Sequence, residues 1–198
     1  LTIMQILAVD LGTDLIPALA LGTEAPEPGI MDRPPRSQNE KLLNYKVLLR
    51  SYCLLGPLEA LVAMLGYFYA FDWRTGEELR QFAAANPDVY AKATTMTLTG
   101  IVMTQIGNGF ATRTNVQSVF KVGLLSNRLY LGGIASEICV QAAIVYIPFM
   151  NRLFDTAPIS FTDWLFFVPF IPICTVADEI RKLILRAYLK RQKKGREG

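Results

Sequence analysis

Two aspartates, Asp10 and Asp14, stand four residues apart in Leu1–Gly22, a stretch with no other ionisable side chain. A carboxylate at bilayer depth costs about 2.5–3.5 kcal/mol on insertion scales, so it is rare without a task. The i, i+4 spacing places both acids on one helical face, with Thr13 beside them. Three oxygen-bearing side chains on one face are a ligand set for hard cations: sodium, potassium, calcium or protons. As a metal site, Asp10 and Asp14 are the expected charged ligands. The bland alternative is a buried helix of a soluble protein with two paired aspartates, and the rest of the chain argues against it.

Gly12 and Pro17 flank the acids. Pro17 cannot donate to the carbonyl of residue 13 and clashes with it, and Gly12 adds local freedom. The expected result is a helix interrupted near Gly12 and Pro17, with carbonyls freed at the depth of the acids, a recurrent way to build ion sites. Thr13 has a second reading, a hydroxyl bonded back within its own helix.

The 198 residues are 52% hydrophobic with mean hydropathy +0.29, values ordinary for a helical membrane protein. There is no histidine, which excludes Ser-His, Cys-His and His-metal chemistry. Cys53, Cys139 and Cys174 are far apart in apolar surroundings and read as small core hydrophobes. The chain opens inside an apolar run without a basic leader, and so reads as a piece of a longer protein.

About 20 apolar residues cross a bilayer as a helix. Five stretches qualify, at 1–22, 47–71, 93–111, 129–149 and 161–178, giving an all-α, polytopic membrane fold in one transport domain, 1–198. The connection 23–46 holds Pro26, Pro28, Pro34 and Pro35 and cannot be a continuous helix. The connection 71–92 holds one short polar helix ending near Asn86-Pro87. Of the 20 lysines and arginines, 16 fall in or beside the first and third connections and in the basic tail 179–198, leaving 4 for the second and fourth. The positive-inside rule then makes the odd connections and the tail cytoplasmic. Tail residues Arg186–Arg196 meet anionic headgroups of the lipid bilayer rather than nucleic acid.

Other polar residues lie inside the spans. Glu59 in the second span is a proton-relay candidate, and Glu137 in the fourth is a ligand or relay candidate; a structural interhelical hydrogen bond is the alternative for both. Gln105 and Asn108 share a face of the third span at i, i+3 and can coordinate a cation or simply join helices.

The run Val9-Asp10-Leu11-Gly12-Thr13-Asp14-Leu15-Ile16-Pro17, followed by Ile30-Met31-Asp32-Arg33-Pro34-Pro35-Arg36, resembles the P-type cation-transporting ATPases. The similarity is to the sodium/potassium and calcium pump branch, at the sixth transmembrane helix and the loop after it. Weaker similarity reaches Ala177-Asp178-Glu179-Ile180-Arg181-Lys182-Leu183, which resembles the end of the tenth helix, so essentially the whole chain is covered.

The resemblance implies a cation-transport domain, helices six to ten, whose partners are the lipid bilayer and the missing helices and cytoplasmic domains of the same pump. ATP and magnesium would bind only those missing domains; the Asp-Lys-Thr-Gly-Thr phosphorylation sequence is absent here. It implies that Asp10, Thr13 and Asp14 are cation ligands, strengthens Glu137, and makes Asp32, Arg33 and Arg36 a cytoplasmic coupling loop. Aspartate at position 10 is the sodium/potassium-like choice, whereas calcium pumps carry asparagine there. The acids those pumps carry at the positions of Asn108 and Val102 are missing. The short tail points to a bacterial or archaeal plasma membrane. A secondary cation or proton transporter, using Asp10, Asp14 and Glu137 as a relay, and a non-transporting scaffold are the rival classes.

Overall fold

The computed structural model describes residues 1–27, 30 and 43–194, and among them all regular structure is helical. Helix α1, Ile3–Leu21, begins on a capping box: the Thr2 hydroxyl accepts from Gln5 N–H, and the Gln5 amide oxygen accepts from Thr2 N–H. The interruption expected near Gly12 and Pro17 takes the form of a π-helical turn over Ala8–Thr13, after which α-helix resumes at Leu15–Leu21. Its wide loop lets the Val9 carbonyl accept from both Asp14 N–H and the Thr13 hydroxyl, at 3.0 Å each.

Helix α2 spans Val47–Ala70 and carries a second π turn, Arg50–Leu55, closed by Gly56 N–H to the Ser51 carbonyl. This turn was not expected. Pro57 follows directly, and its missing N–H removes the donor that the Cys53 carbonyl would use in an α-helix. Helix α3, Gly76–Ala85, is the short polar helix, and helix α4, Pro87–Thr112, starts at the proline after it. After the one-turn α5, Val119–Val122, helix α6 runs Arg128–Tyr146. The expected fourth span overran: Pro148 starts a separate helix α7, Pro148–Phe154. The last span is α8, Phe161–Phe167, a 3-10 turn, Val168–Phe170, and α9, Ile173–Lys194. The basic stretch that read as a tail from 179 is therefore mostly helix, since nothing breaks α9 before Gly195.

Four of these segments are long and apolar enough to cross a membrane: Ile3–Leu21, Val47–Ala70, Arg128–Tyr146 and Phe161–Gln192. Helix α4 falls short in apolarity, not in length. It is the central helix, packed against α2, α6 and α9, with Ala93, Met96, Leu98, Val102 and Ala111 fully buried. A helix enclosed by other helices does not meet lipid and can carry more polar residues.

Glycines set the closest approaches. A Cβ on Gly107 would lie 1.8 Å from the Ile171 carbonyl, and one on Gly133 would lie 2.9 Å from the Pro17 Cα. The helix ends fall into two groups. Gln5 donates to the Asp155 carbonyl, 2.9 Å, and Lys92 pairs with Asp163, 2.9 Å, at one end. Glu24 with Arg113 and Arg50 with Asp178 join at the other. Cys174 is buried as expected, whereas Cys53 and Cys139 are exposed on the outer apolar surface and are not core residues.

Candidate cation site

Asp14 closes the π turn of α1 and stands at the head of the resumed helix, three residues before Pro17 removes a further amide donor. Its carboxylate accepts no hydrogen bond from the described residues, and the same holds for Asp10; both residues are exposed. Thr13 is buried, and its hydroxyl is engaged within the helix at the Val9 carbonyl.

Asp14 lines a cavity of about 190 Å³ together with Pro17, Gln105, Asn108, Gly109 and Tyr130. The amide oxygens of Gln105 and Asn108 are buried with no hydrogen-bond partner among the described residues. A buried acceptor left unpaired costs about 1–3 kcal/mol, so the site holds two oxygens in want of positive charge or a proton donor, beside a carboxylate. Tyr130 turns its hydroxyl away from this role, donating to the Ile106 carbonyl at 3.0 Å. It was not singled out by its sequence context, where it is one more apolar residue at a helix start.

Glu137 is buried, and its Oε1 is also unpartnered. Gly133 meets Pro17 on one side of it, and Val140 lies 3.5 Å from a Cβ on Gly12 on the other. Glu137 shares that face of α6 and falls between those two contacts, at the level of Asp14. Glu59 is not brought to this cavity. It is half-buried in a separate open groove of about 370 Å³, with Gly56, Ala63, Met64 and Ile101. Asp32, Arg33 and Arg36, expected as a coupling loop, lie outside the described residues. Among the described residues, no three acids or cysteines gather as a metal cluster.

A second polar cluster, missed in the sequence, sits at the basic end. Asp178, fully buried, accepts from Arg50, Arg181 and Lys182 at 2.8, 2.6 and 3.0 Å. Lys182, equally buried, donates to the Ala111 carbonyl, and Glu179 accepts from Val119 N–H. The network ties α2, α4, α5 and α9 together. Its signal was Arg50, a lone cation one turn inside an apolar span and on the same side as Asp178.

Residues 1–184 match the family model described as cation transporting ATPase, C-terminus. The chain belongs to this family. Among its relatives, calcium-transporting ATPase 1 of Yarrowia lipolytica is 32% identical over 93% of this chain and 18% of its own length. The sodium/potassium-transporting ATPase subunit alpha-2 of Rattus norvegicus is 30% identical over 93% of this chain and 20% of its own. The human calcium-transporting ATPase type 2C member 1 is 30% identical over 92% and 18%. The chain thus spans about a fifth of the length of these relatives and is the C-terminal region of a P-type ATPase, an integral membrane protein. These relatives are eukaryotic and lend no support to the bacterial or archaeal source expected from the tail.

Proposed function

We propose that this region is the transport domain of an ATP-driven cation pump, and that the transported ion is held at the cavity joining α1 to α4. The observation that carries the reading is the convergence of Asp14 with two buried, unpartnered amide oxygens. Asp14 supplies the charge that offsets cation dehydration, and Gln105 and Asn108 supply neutral oxygens. Asp10, one turn away on α1, and Glu137, at the level of Asp14, are further ligands, and Thr13 contributes the lone pairs that its bond to Val9 leaves free. The neutral amides of Gln105 and Asn108 favour sodium or potassium, whereas three carboxylates also suit calcium. Relatives named for calcium and for sodium/potassium transport are similar to this chain at 32% and 30% identity, so ion flux is the measurement that decides between them.

Helix α4 is taken as a fifth crossing, which puts the Glu24, Arg113 and Asp178 end on the cytoplasmic side. ATP, magnesium and the phosphorylated aspartate belong to upstream domains, and Asp32, Arg33 and Arg36 form the loop that meets them. Glu59, which lines a neighbouring groove, serves as a proton relay.

The test is ion flux in vesicles containing the full-length protein, with sodium, potassium and calcium offered separately. Asp14→Asn preserves shape and should abolish ion-stimulated phosphorylation and flux. Undiminished ion-dependent activity in that variant would remove α1 as the binding helix.

A further inference from the structure

Helix α4 carries both of its amide ligands on one short stretch, Gln105-Ile106-Gly107-Asn108-Gly109. Glycine is the poorest helix former after proline, so the backbone on either side of Asn108 is weakly held by its own helix. Both glycines admit a neighbour instead. The Ile171 carbonyl, at the entry to α9, occupies the place of a Cβ on Gly107, and a Cβ on Gly109 would lie 1.9 Å from the Tyr130 hydroxyl oxygen.

Two hydroxyls hold consecutive carbonyls of this stretch. Tyr130 of α6 donates to the Ile106 carbonyl at 3.0 Å, and Thr175 of α9 donates to the Gly107 carbonyl at 2.7 Å, both in buried surroundings. A carbonyl has two lone pairs and a helix uses one, so each hydroxyl takes the lone pair that remains. The bonds pin the peptide units joining Ile106 to Gly107 and Gly107 to Asn108, between the two residues whose amide oxygens are buried and unpartnered among the described residues. Tyr130 is 1% exposed, and its ring packs edge-on against Phe110 with centroids 5.1 Å apart, so it has little room to move. Thr175 had a local alternative. Thr95, Thr99 and Thr104 all return their hydroxyls to carbonyls of their own helix, whereas Thr175 reaches across to α4.

We propose that Tyr130 and Thr175 are positioning residues of the cation site. Their hydroxyls clamp the Ile106 and Gly107 carbonyls, keep the amide oxygens of Gln105 and Asn108 at one fixed separation, and thereby set the ion selectivity. The inference rests on the cation site proposed above. Fixed oxygens suit an ion of one radius, whereas loosened oxygens adapt to several.

Apparent affinities for sodium, potassium and calcium, each offered alone, would be read from ion-activated ATPase of the full-length protein. Tyr130→Phe and Thr175→Val keep the shape and each delete one hydroxyl. Either should weaken binding of the preferred ion about tenfold, the low end of what partners of metal ligands contribute. Competing ions should lose less, so the selectivity ratio narrows. Thr175→Ser, which keeps the hydroxyl, should keep the ratio. Tyr146→Phe is the control, because that hydroxyl also bonds a carbonyl, of Ile159 at 2.9 Å, but lies outside the cavity lining. An unchanged ratio in Tyr130→Phe and Thr175→Val, or an equal narrowing in Tyr146→Phe, would overturn the clamp. Undiminished ion-dependent activity in Asp14→Asn would remove the site itself, which tells the two failures apart. The two variants lie on different helices, and either one that folds decides. Failure of both to fold would make the hydroxyls structural and overturn the clamp as well.

Discussion

Glu24 and Arg113 face each other in a two-point ion pair, with Arg113 Nε 2.8 Å from Oε2 and Nη2 2.8 Å from Oε1 of Glu24. The Arg113 side chain is wholly enclosed and also donates to the Gly123 and Leu124 carbonyls and to Ser126. One arginine at the foot of α4 thus fixes both the exit of α1 and the loop that leads into α6. Anything that moves α1 along its axis must move against this anchor.

Those Arg113 hydrogen bonds, aided by the Asn127 amide and partly opposed by burial, hold the Glu24 carboxyl below its ordinary value of 4.5. A depressed carboxyl pKa gives stability that is present above the unfolded pKa and is lost as pH falls through the folded one. Thermal unfolding in nanodiscs should therefore change little on this account above pH about 4.5 and decline below it. Glu24→Gln should remove that acid-dependent component and cost about 1–3 kcal/mol at neutral pH, by leaving Arg113 a neutral partner. An unchanged acid profile in Glu24→Gln would show that other carboxylates set it.

Asn108→Leu keeps the branched shape and removes an oxygen that has no donor among the described residues. Ion affinity, read from ion-activated ATPase in the full-length protein, should fall at least about tenfold, the effect of roughly 1.4 kcal/mol. Unfolding stability should hold or rise, because an unpaired buried acceptor is gone. Loss of stability with unaltered affinity would make Asn108 a helix-joining residue.

Gly107→Ala should be among the most damaging single changes, since a Cβ there would lie 1.8 Å from backbone, the Ile171 carbonyl, which cannot rotate away. It would also strain the 2.7 Å hydrogen bond from the Thr175 hydroxyl to the Gly107 carbonyl. A loss of about 1–3 kcal/mol or more is expected from such overpacking, seen as reduced yield of folded protein in detergent. Gly132→Ala, where no atom lies within 4 Å, is the neutral control.

Crossing of the membrane by α4 can be read from the loops at its two ends. In a cysteine-free background, single cysteines at Gly76 and at Leu125, the latter 73% exposed, should react with impermeant reagents from opposite faces. Labelling from one face would remove α4 as a span.

The sequence disclosed the polar residues that matter inside apolar stretches, because a charge or amide in such a stretch is conspicuous whatever its partners. It did not disclose which of them meet. Asp14 lines one cavity with Gln105 and Asn108 while Glu59 lines another groove, and that follows from packing between helices, which no spacing within one helix encodes. Helix α4 began earlier than its apolar window because its first turns, Pro87–Lys92, carry Asp88 and Lys92, and its threonines look polar on paper. In the fold, Thr95, Thr97, Thr99 and Thr104 return their hydroxyls to carbonyls of their own helix. The Gly56-Pro57 pair was as legible a break as Gly12 and Pro17, but the π turn precedes it, over Arg50–Leu55, away from Glu59.

A π turn differs from an α turn by one residue, so Ala8–Thr13 reads as a single-residue insertion carried inside an otherwise ordinary helix. Removing one residue there should not destroy α1; it should regularise it. The segment before the deletion would swing by about 100° relative to the segment after it, the angle per residue of an α-helix. Asp10 would then look in another direction while Asp14, Pro17 and everything anchored to α6 stayed in place. Chain length, counted in single residues, is thus a lever on which way one carboxylate points without altering any side chain.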